Sequence, residues 1–168
     1  MTEFHSISDL PNLPAVYAMY GGLGRSFHVA YVGIASRLRG RVEQHLVRRD
    51  SSVTTGVSAA CLNPDRVTEV RWWEHSDFEK KDVLEAAELV AFDVLEPALR
   101  SRGGITDRAK QLYADQDFCD QMKTVFLGEA SGRLGIRTLD GAWERIENLE
   151  KRVNELEGQV GSSRTGSG

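Results

Sequence analysis

Ala15-Val16-Tyr17-Ala18-Met19-Tyr20, followed after a glycine-rich break by Phe27-His28-Val29-Ala30-Tyr31-Val32, is the stretch whose reading decides the fold. Both runs concentrate β-branched and aromatic residues, which favour the pleated, half-buried backbone of a strand. Pro11 and Pro14 bracket the entry to the first run, and Gly21-Gly22-Leu23-Gly24 reads as the turn between the two. Strands joined by so short a connection pair as an antiparallel hairpin.

Downstream of the hairpin the period changes. Leu38, Val42 and Leu46 recur every four residues, one apolar stripe of a helix expected from about Ser36, its N-cap, to Arg49. Residues Asp50 to Asp65 are rich in Ser, Thr and Gly, end in Asn63-Pro64-Asp65, and read mostly as a long loop. A third strand is expected over Val67 to Glu74, where Val70 and Trp72 alternate against Glu69, Arg71 and Trp73. Ser76 or Asp77 caps the next expected helix, which runs to Leu95 and stops near Pro97. After the break at Arg102-Gly103-Gly104, a helical stretch from Thr106 to Phe126 carries Ala109, Leu112, Tyr113 and Met122. The expected fold class is α+β: a small three-stranded antiparallel sheet flanked by helices, then a helical extension over 101–138.

The end of the chain has its own pattern. Leu139, Ile146, Val153 and Val160 recur every seven residues, with Ala142, Leu149 and Leu156 three positions after the first three. This is an a/d heptad seam, in which β-branched a residues and leucine at d favour parallel dimers. Arg145 and Arg152 fall at g, Glu150 and Glu157 at e of the following heptads, so the flanking charges attract across such a dimer. Residues 139–160 are therefore expected to form a short coiled coil that makes a homodimer, the alternative being one amphipathic helix packed on its own domain. The run 161–168, of Gly, Ser, Thr and a single Arg, is expected to be disordered.

Composition narrows the function classes. A chain of 168 residues holds one domain with a core plus an appendage. No apolar run approaches the roughly 20 residues needed to cross a bilayer. The acidic, polar start from Met1 to Asp9 lacks the features of an export signal, so a cytoplasmic location and no membrane partner are expected. Cys61 and Cys119 lie far apart without ligand spacing and are expected to be reduced thiols. The net charge of -4 argues against a polyanionic partner, but its distribution matters more. Arg37, Arg39, Arg41, Arg48 and Arg49 crowd one short stretch against the single acid Glu43. Local positive charge of this kind permits phosphate binding, and is equally the solvated face of an ordinary helix.

Several polar residues sit where chemistry is possible. Arg41 and His45 are four apart, on one face of the expected helix. The arginine can neutralise a phosphate and the histidine can move a proton near neutral pH. Glu88 lies at the edge of the apolar arc formed by Val83, Leu84, Ala87, Ala91, Val94 and Leu95, whereas Glu85, Asp93 and Glu96 gather on the other face. A carboxylate at such an edge needs a partner, a cleft or a metal. Tyr17 and Tyr31 lie in adjacent strands. Singly, each of these residues also has an ordinary structural reading.

Three segments combine them in order. They are Ala15-Val16-Tyr17, then Tyr31-Val32-Gly33 with its continuation to Arg41 and His45, and last Glu88 with Pro97 nine positions later. In order and spacing they resemble the signature motifs of the GIY-YIG nuclease superfamily, over roughly residues 11 to 100. Two positions depart from that pattern: Ala15 replaces the first glycine, and Arg100 stands where an asparagine is common.

The resemblance implies a GIY-YIG-like domain over 11–100 that acts as a metal-dependent endonuclease on nucleic acid, DNA foremost. Glu88 would hold one magnesium or manganese ion, and Arg41 would brace the phosphate. Tyr17, with Tyr31 and His45, would activate or position water, with the proton acceptor left open. Arg37, Arg39 and Arg48 would contact the nucleic-acid backbone. Two other classes stand beside this one. The first is a catalytically silent module of the same fold that binds nucleic acid or protein; the second is a structural dimer in which the heptad tail does the work.

Overall fold

The computed structural model describes residues 1–21, 28–55, 62–100 and 104–164, the side chains of 139–141, 144 and 158–164 excepted. The chain forms two units, Met1–Ile136 and Arg137–Gly168. In the first unit the elements run β1 (Thr2–Phe4), β2 (Ala15–Gly21), β3 (His28–Ala35), α1 (Leu38–Glu43), α2 (Ser52–Thr55), β4 (Val67–Trp73), α3 (Lys81–Leu95), α4 (Asp107–Tyr113), α5 (Gln116–Leu127) and β5 (Gly132–Gly135). The second unit holds α6 (Leu139–Arg164).

Strand β2 is buried along its whole length because it is covered on both faces. It pairs antiparallel with β3 on one side, the hairpin expected from the sequence, and antiparallel with β4 on the other. Val16, Ala18 and Tyr20 face a core completed by Leu89, Val90 and Phe92 of α3 and by Met122 and Phe126 of α5. Ala15, Tyr17 and Met19 face a second core with Leu38 and Val42 of α1, Trp72 of β4 and Leu134 of β5. The strand period of two thus sorts one sequence onto two cores.

The sheet corrects the expectation of three antiparallel strands. Among the described residues it has five strands in the order β1-β5-β4-β2-β3, with β1 parallel to β5 and the other pairs antiparallel. β5 lies inside the stretch read as a helical extension. Its four residues include two glycines and one apolar side chain, too little for a strand signal. Tertiary packing supplies what propensity does not: Gly132 lies opposite Trp72, and a Cβ there would come within 2.2 Å of the indole ring. Phe4 of β1 packs on the same indole, with ring centroids 5.3 Å apart.

The helices are also more broken than periodicity implies. The expected helix over 36–49 is α1 followed by a wider π-type turn, Gln44–Arg48, ended by Arg49 in the left-handed region at φ 56°. The expected loop from Asp50 to Asp65 contains α2. The helix expected over 106–126 is two. Thr106 caps α4 by accepting the Ala109 N–H, and Asp115 caps α5 by accepting those of Asp117 and Phe118. A side chain that offers the backbone a cap ends one helix and starts the next. The expected coiled coil is present only as one helix, α6, which continues to Arg164 through residues read as disordered. No helix among the described residues is long and apolar enough to cross a membrane. Cys119 is a buried free thiol, while Cys61 and the turn at Gly22-Leu23-Gly24 lie outside the described residues.

Candidate active site

Strand β3 is the edge of the sheet beyond β2, and a cleft of about 350 Å³ opens along it. Tyr31 and Ile34 line the cleft from opposite faces of the strand; Arg41 and His45 come from the helix after it, and Glu85 and Glu88 from α3. Residues far apart in the chain converge because α1 covers one face of the sheet and α3 the other. Farther along the same edge, Ala98 and Leu99 donate backbone N–H groups to Val29 and Ala30. Arg100 donates to the Phe92 carbonyl near the end of α3, where a cation suits the negative end of the helix dipole. Arg100 thus has a structural task.

Tyr17 lies directly opposite Gly33 in the hairpin register. Since Gly33 carries no side chain, the Tyr17 ring can lie across β3 towards Tyr31, with ring centroids 6.0 Å apart in an edge-on arrangement. A Cβ on Gly33 would stand 2.7 Å from the Tyr31 hydroxyl and 2.8 Å from that of Tyr17. Both phenols therefore converge on the one position where the strand leaves space.

His45 is 1% exposed although it belongs to the arginine-rich helix. Its Nε2 is 2.7 Å from the Tyr17 hydroxyl, and its Nδ1 is 2.7 Å from the hydroxyl of Ser51. Burial first, and then the Arg41 guanidinium, lower its pKa from 6.5 to about 4, so the ring is neutral near pH 7. Burial also pushes the Tyr17 phenol well above the ordinary range; Tyr31 adds to this, and Arg41 opposes it. For Tyr31 burial again leads, followed by the charge of Glu88, with Arg41 opposing both. Arg41 and Glu88 thus place opposite charges on the same pair of phenols.

A depressed histidine pKa makes stability depend on pH. The unfolded chain binds the His45 proton below about 6.5, whereas the folded chain does so only below about 4. The stabilisation is present above pH 6.5 and lost as the pH falls towards 4, on the order of 3 kcal/mol in full. Urea midpoints measured from pH 7.5 to 4.5 are expected to fall less steeply for His45→Gln than for the wild-type protein.

The sequence-derived residues are not equivalent in space. Tyr31, Arg41, His45 and Glu88 line the cleft, whereas Tyr17 stands behind His45 at 1% exposure. Arg37 and Arg48 are exposed near the cleft helix, with Arg48 3.7 Å from Asp50. Arg39 is half-buried, and its Nε donates to the Leu10 carbonyl, so part of its guanidinium ties the helix to the N-terminal segment.

Glu85 corrects an expectation. Periodicity places it on the outer face of its helix, yet it is 6% exposed and lines the cleft one turn before Glu88. The reason is that α3 is buried nearly all round from Leu84 to Phe92 by the sheet, α4 and α5. Burial raises the Glu85 carboxyl, but the Thr106 N–H at 3.0 Å, with its hydroxyl, and Lys81 at 3.5 Å outweigh it and hold the group ionised.

The donor set bears on a metal. No cluster of three or more His, Cys, Asp and Glu exists among the described residues. Two buried carboxylates beside an open cleft instead offer hard oxygen donors to a cation that keeps most of its water, as magnesium does. Of the two, Glu85 accepts the Thr106 N–H and faces Lys81.

Gly33 stands in the Tyr31-Val32-Gly33 motif of the sequence, but the space it leaves for both phenols is visible only in the fold. Glu85 at the cleft is legible from its three-residue spacing to Glu88, whereas Ser51 carries no local signal. No protein-family model, curated protein or solved structure matches this chain.

Proposed function

We propose that the first unit is a metal-dependent endonuclease of GIY-YIG type. The observation that carries this reading is the convergence of Tyr31, Arg41, His45 and Glu88 on one cleft, with Tyr17 bonded to His45 behind it. Phosphodiester hydrolysis requires charge neutralisation at phosphorus and a positioned water. Arg41, exposed at the cleft wall, braces a phosphate through its guanidinium. His45 is neutral near pH 7 and, with its two ring nitrogens bonded to Tyr17 and Ser51, backs the paired phenols, while Tyr31 positions the water at the cleft wall. Tyr17 remains a neutral phenol and orients His45 from within the core. Glu88 holds magnesium or manganese, which when bound supplies positive charge to the phosphoryl oxygens. Arg37 and Arg48 extend the contact along the nucleic-acid backbone, with part of Arg39.

The test is cleavage of labelled single-stranded, duplex and branched DNA and RNA with magnesium or manganese. Cutting that requires the metal and the cleft residues supports the reading. Failure to cut any substrate, with retained binding, would move the protein to the silent binding module.

The second unit serves as a dimerisation helix in this proposal. Trp143, Ile146, Leu149, Val153 and Leu156 of α6 are all exposed, a stripe that a second copy would cover in a parallel coiled coil. Such a dimer would tether two cleavage sites and allow both strands of a duplex to be cut. Ending the chain after Thr138 is expected to halve the mass seen by light scattering and to leave the first unit folded. A full-length protein that is monomeric at micromolar concentration would remove this part of the proposal.

A further inference from the structure

Ser51 occupies a position that the proposed reaction does not use directly, and its surroundings are unusually determined. It is 1% exposed, follows the left-handed Arg49 by two residues and opens α2. Its carbonyl accepts the N–H groups of Thr54 and Thr55 and the hydroxyl of Thr55, so its backbone is pinned. Its hydroxyl lies 2.7 Å from His45 Nδ1 and 2.9 Å from the Thr54 hydroxyl, and accepts a longer bond from the Thr54 N–H.

The hydrogens can run through these contacts in either of two senses, and the sense taken here starts from Thr54. The Thr54 hydroxyl donates to the Ser51 carbonyl, leaving its lone pairs to receive the Ser51 proton. The Ser51 oxygen then accepts from Nδ1–H of His45. A neutral imidazole has one donor and one acceptor, so Nε2 presents a lone pair to the Tyr17 hydroxyl 2.7 Å away.

We propose that Ser51 is a positioning residue that holds His45 in the Nδ1–H tautomer, with Nε2 as an acceptor towards the Tyr17 phenol. The inference deepens the nuclease reading, because the tautomer decides which ring nitrogen can serve as the acceptor. Ser51 acts through His45 and does not touch the cleft water.

The experiment combines 15N NMR of histidine-labelled, full-length protein at pH 7.5 with cleavage assays on the same samples. Wild type is expected to show Nδ1 protonated and Nε2 bare at His45. Ser51→Ala is expected to release the ring to a mixture in which Nε2–H gains population, while Ser51→Thr keeps the wild-type signature. In cleavage, Ser51→Ala is expected to lose about tenfold in kcat with KM unchanged, in the range typical of groups that orient site residues. Ser51→Thr is expected to restore most of that loss. An Nε2–H tautomer in the wild type, or a His45 signature unchanged by Ser51→Ala, overturns the proposal. Absence of cleavage with the expected NMR pattern would overturn the nuclease reading and leave the assignment of Ser51 standing.

Discussion

Glu88→Gln is expected to lower cleavage by about a thousandfold, and Arg41→Ala by about a hundredfold or more, while both variants stay folded. The two substitutions act on opposite sides of one cleft. Glutamine keeps the volume of Glu88 and removes its charge, so the packing around α3 is kept. Manganese binding, followed by calorimetry, is expected to weaken at least about tenfold in Glu88→Gln and to change little in Arg41→Ala. Arg41 is exposed, and its Nη1 donates to Gln44 Oε1 at 2.8 Å, a surface contact whose loss barely affects stability. Its effect is therefore expected in the turnover of bound substrate. Cleavage that survives both substitutions would belong to another site or to a contaminant.

Gly33→Ala is expected to damage the site more than any other single methyl added near it. The new Cβ would stand 2.7 Å from the Tyr31 hydroxyl, 2.8 Å from the Tyr17 hydroxyl and 2.9 Å from Tyr31 Cε1. Such separations are far below van der Waals contact, so two rings must turn or the strand must shift. Overpacking of this kind costs about 1–3 kcal/mol. The loss of activity should exceed the loss of stability, because a shift of about 1 Å in positioning groups can cost on the order of a hundredfold in rate. The Tyr17 hydroxyl that would be pushed is the one bonded to His45 Nε2. Gly40→Ala serves as the control: it lies in α1, and its Cβ would meet nothing within 4 Å. That variant is expected to be neutral or more stable by up to about 1 kcal/mol, since alanine is the better helix former. Equal activity in the two variants would show that the space above Gly33 is not what aligns the phenols.

Legibility of the site followed the range of the interactions. Arg41 and His45 were readable as a pair because a helix sets their spacing locally, and the π-type turn at Gln44–Arg48 still leaves both facing the cleft. Tyr17 and Tyr31 were readable as neighbours once the hairpin was recognised. Their inequality was not readable: β2 is interior and β3 is the edge, so one phenol is enclosed and the other forms the cleft wall. Glu85 was misplaced for a related reason. Its helix was read as having one apolar face, but α4 and α5 cover the side that periodicity left to solvent.

The hairpin, the third strand, the helix bearing Glu88 and the heptad stripe of α6 are legible in the amino-acid order alone. The hairpin rests on strand-forming composition around a glycine turn, and the others on a period of two, 3.6 or seven, each written within a short stretch of chain. That β1 and β5 complete the sheet emerges only from packing. Their three and four residues are too short for a periodic signal and gain a place through Leu134 in the core, Gly132 beneath the Trp72 indole and Phe4 against it. Only the tertiary structure, too, brought Ser51 to His45, because that bond depends on the left-handed turn at Arg49 and the short helix after it. A periodic pattern records which face of an element is buried; it does not record what buries it, and the site is built from those encounters.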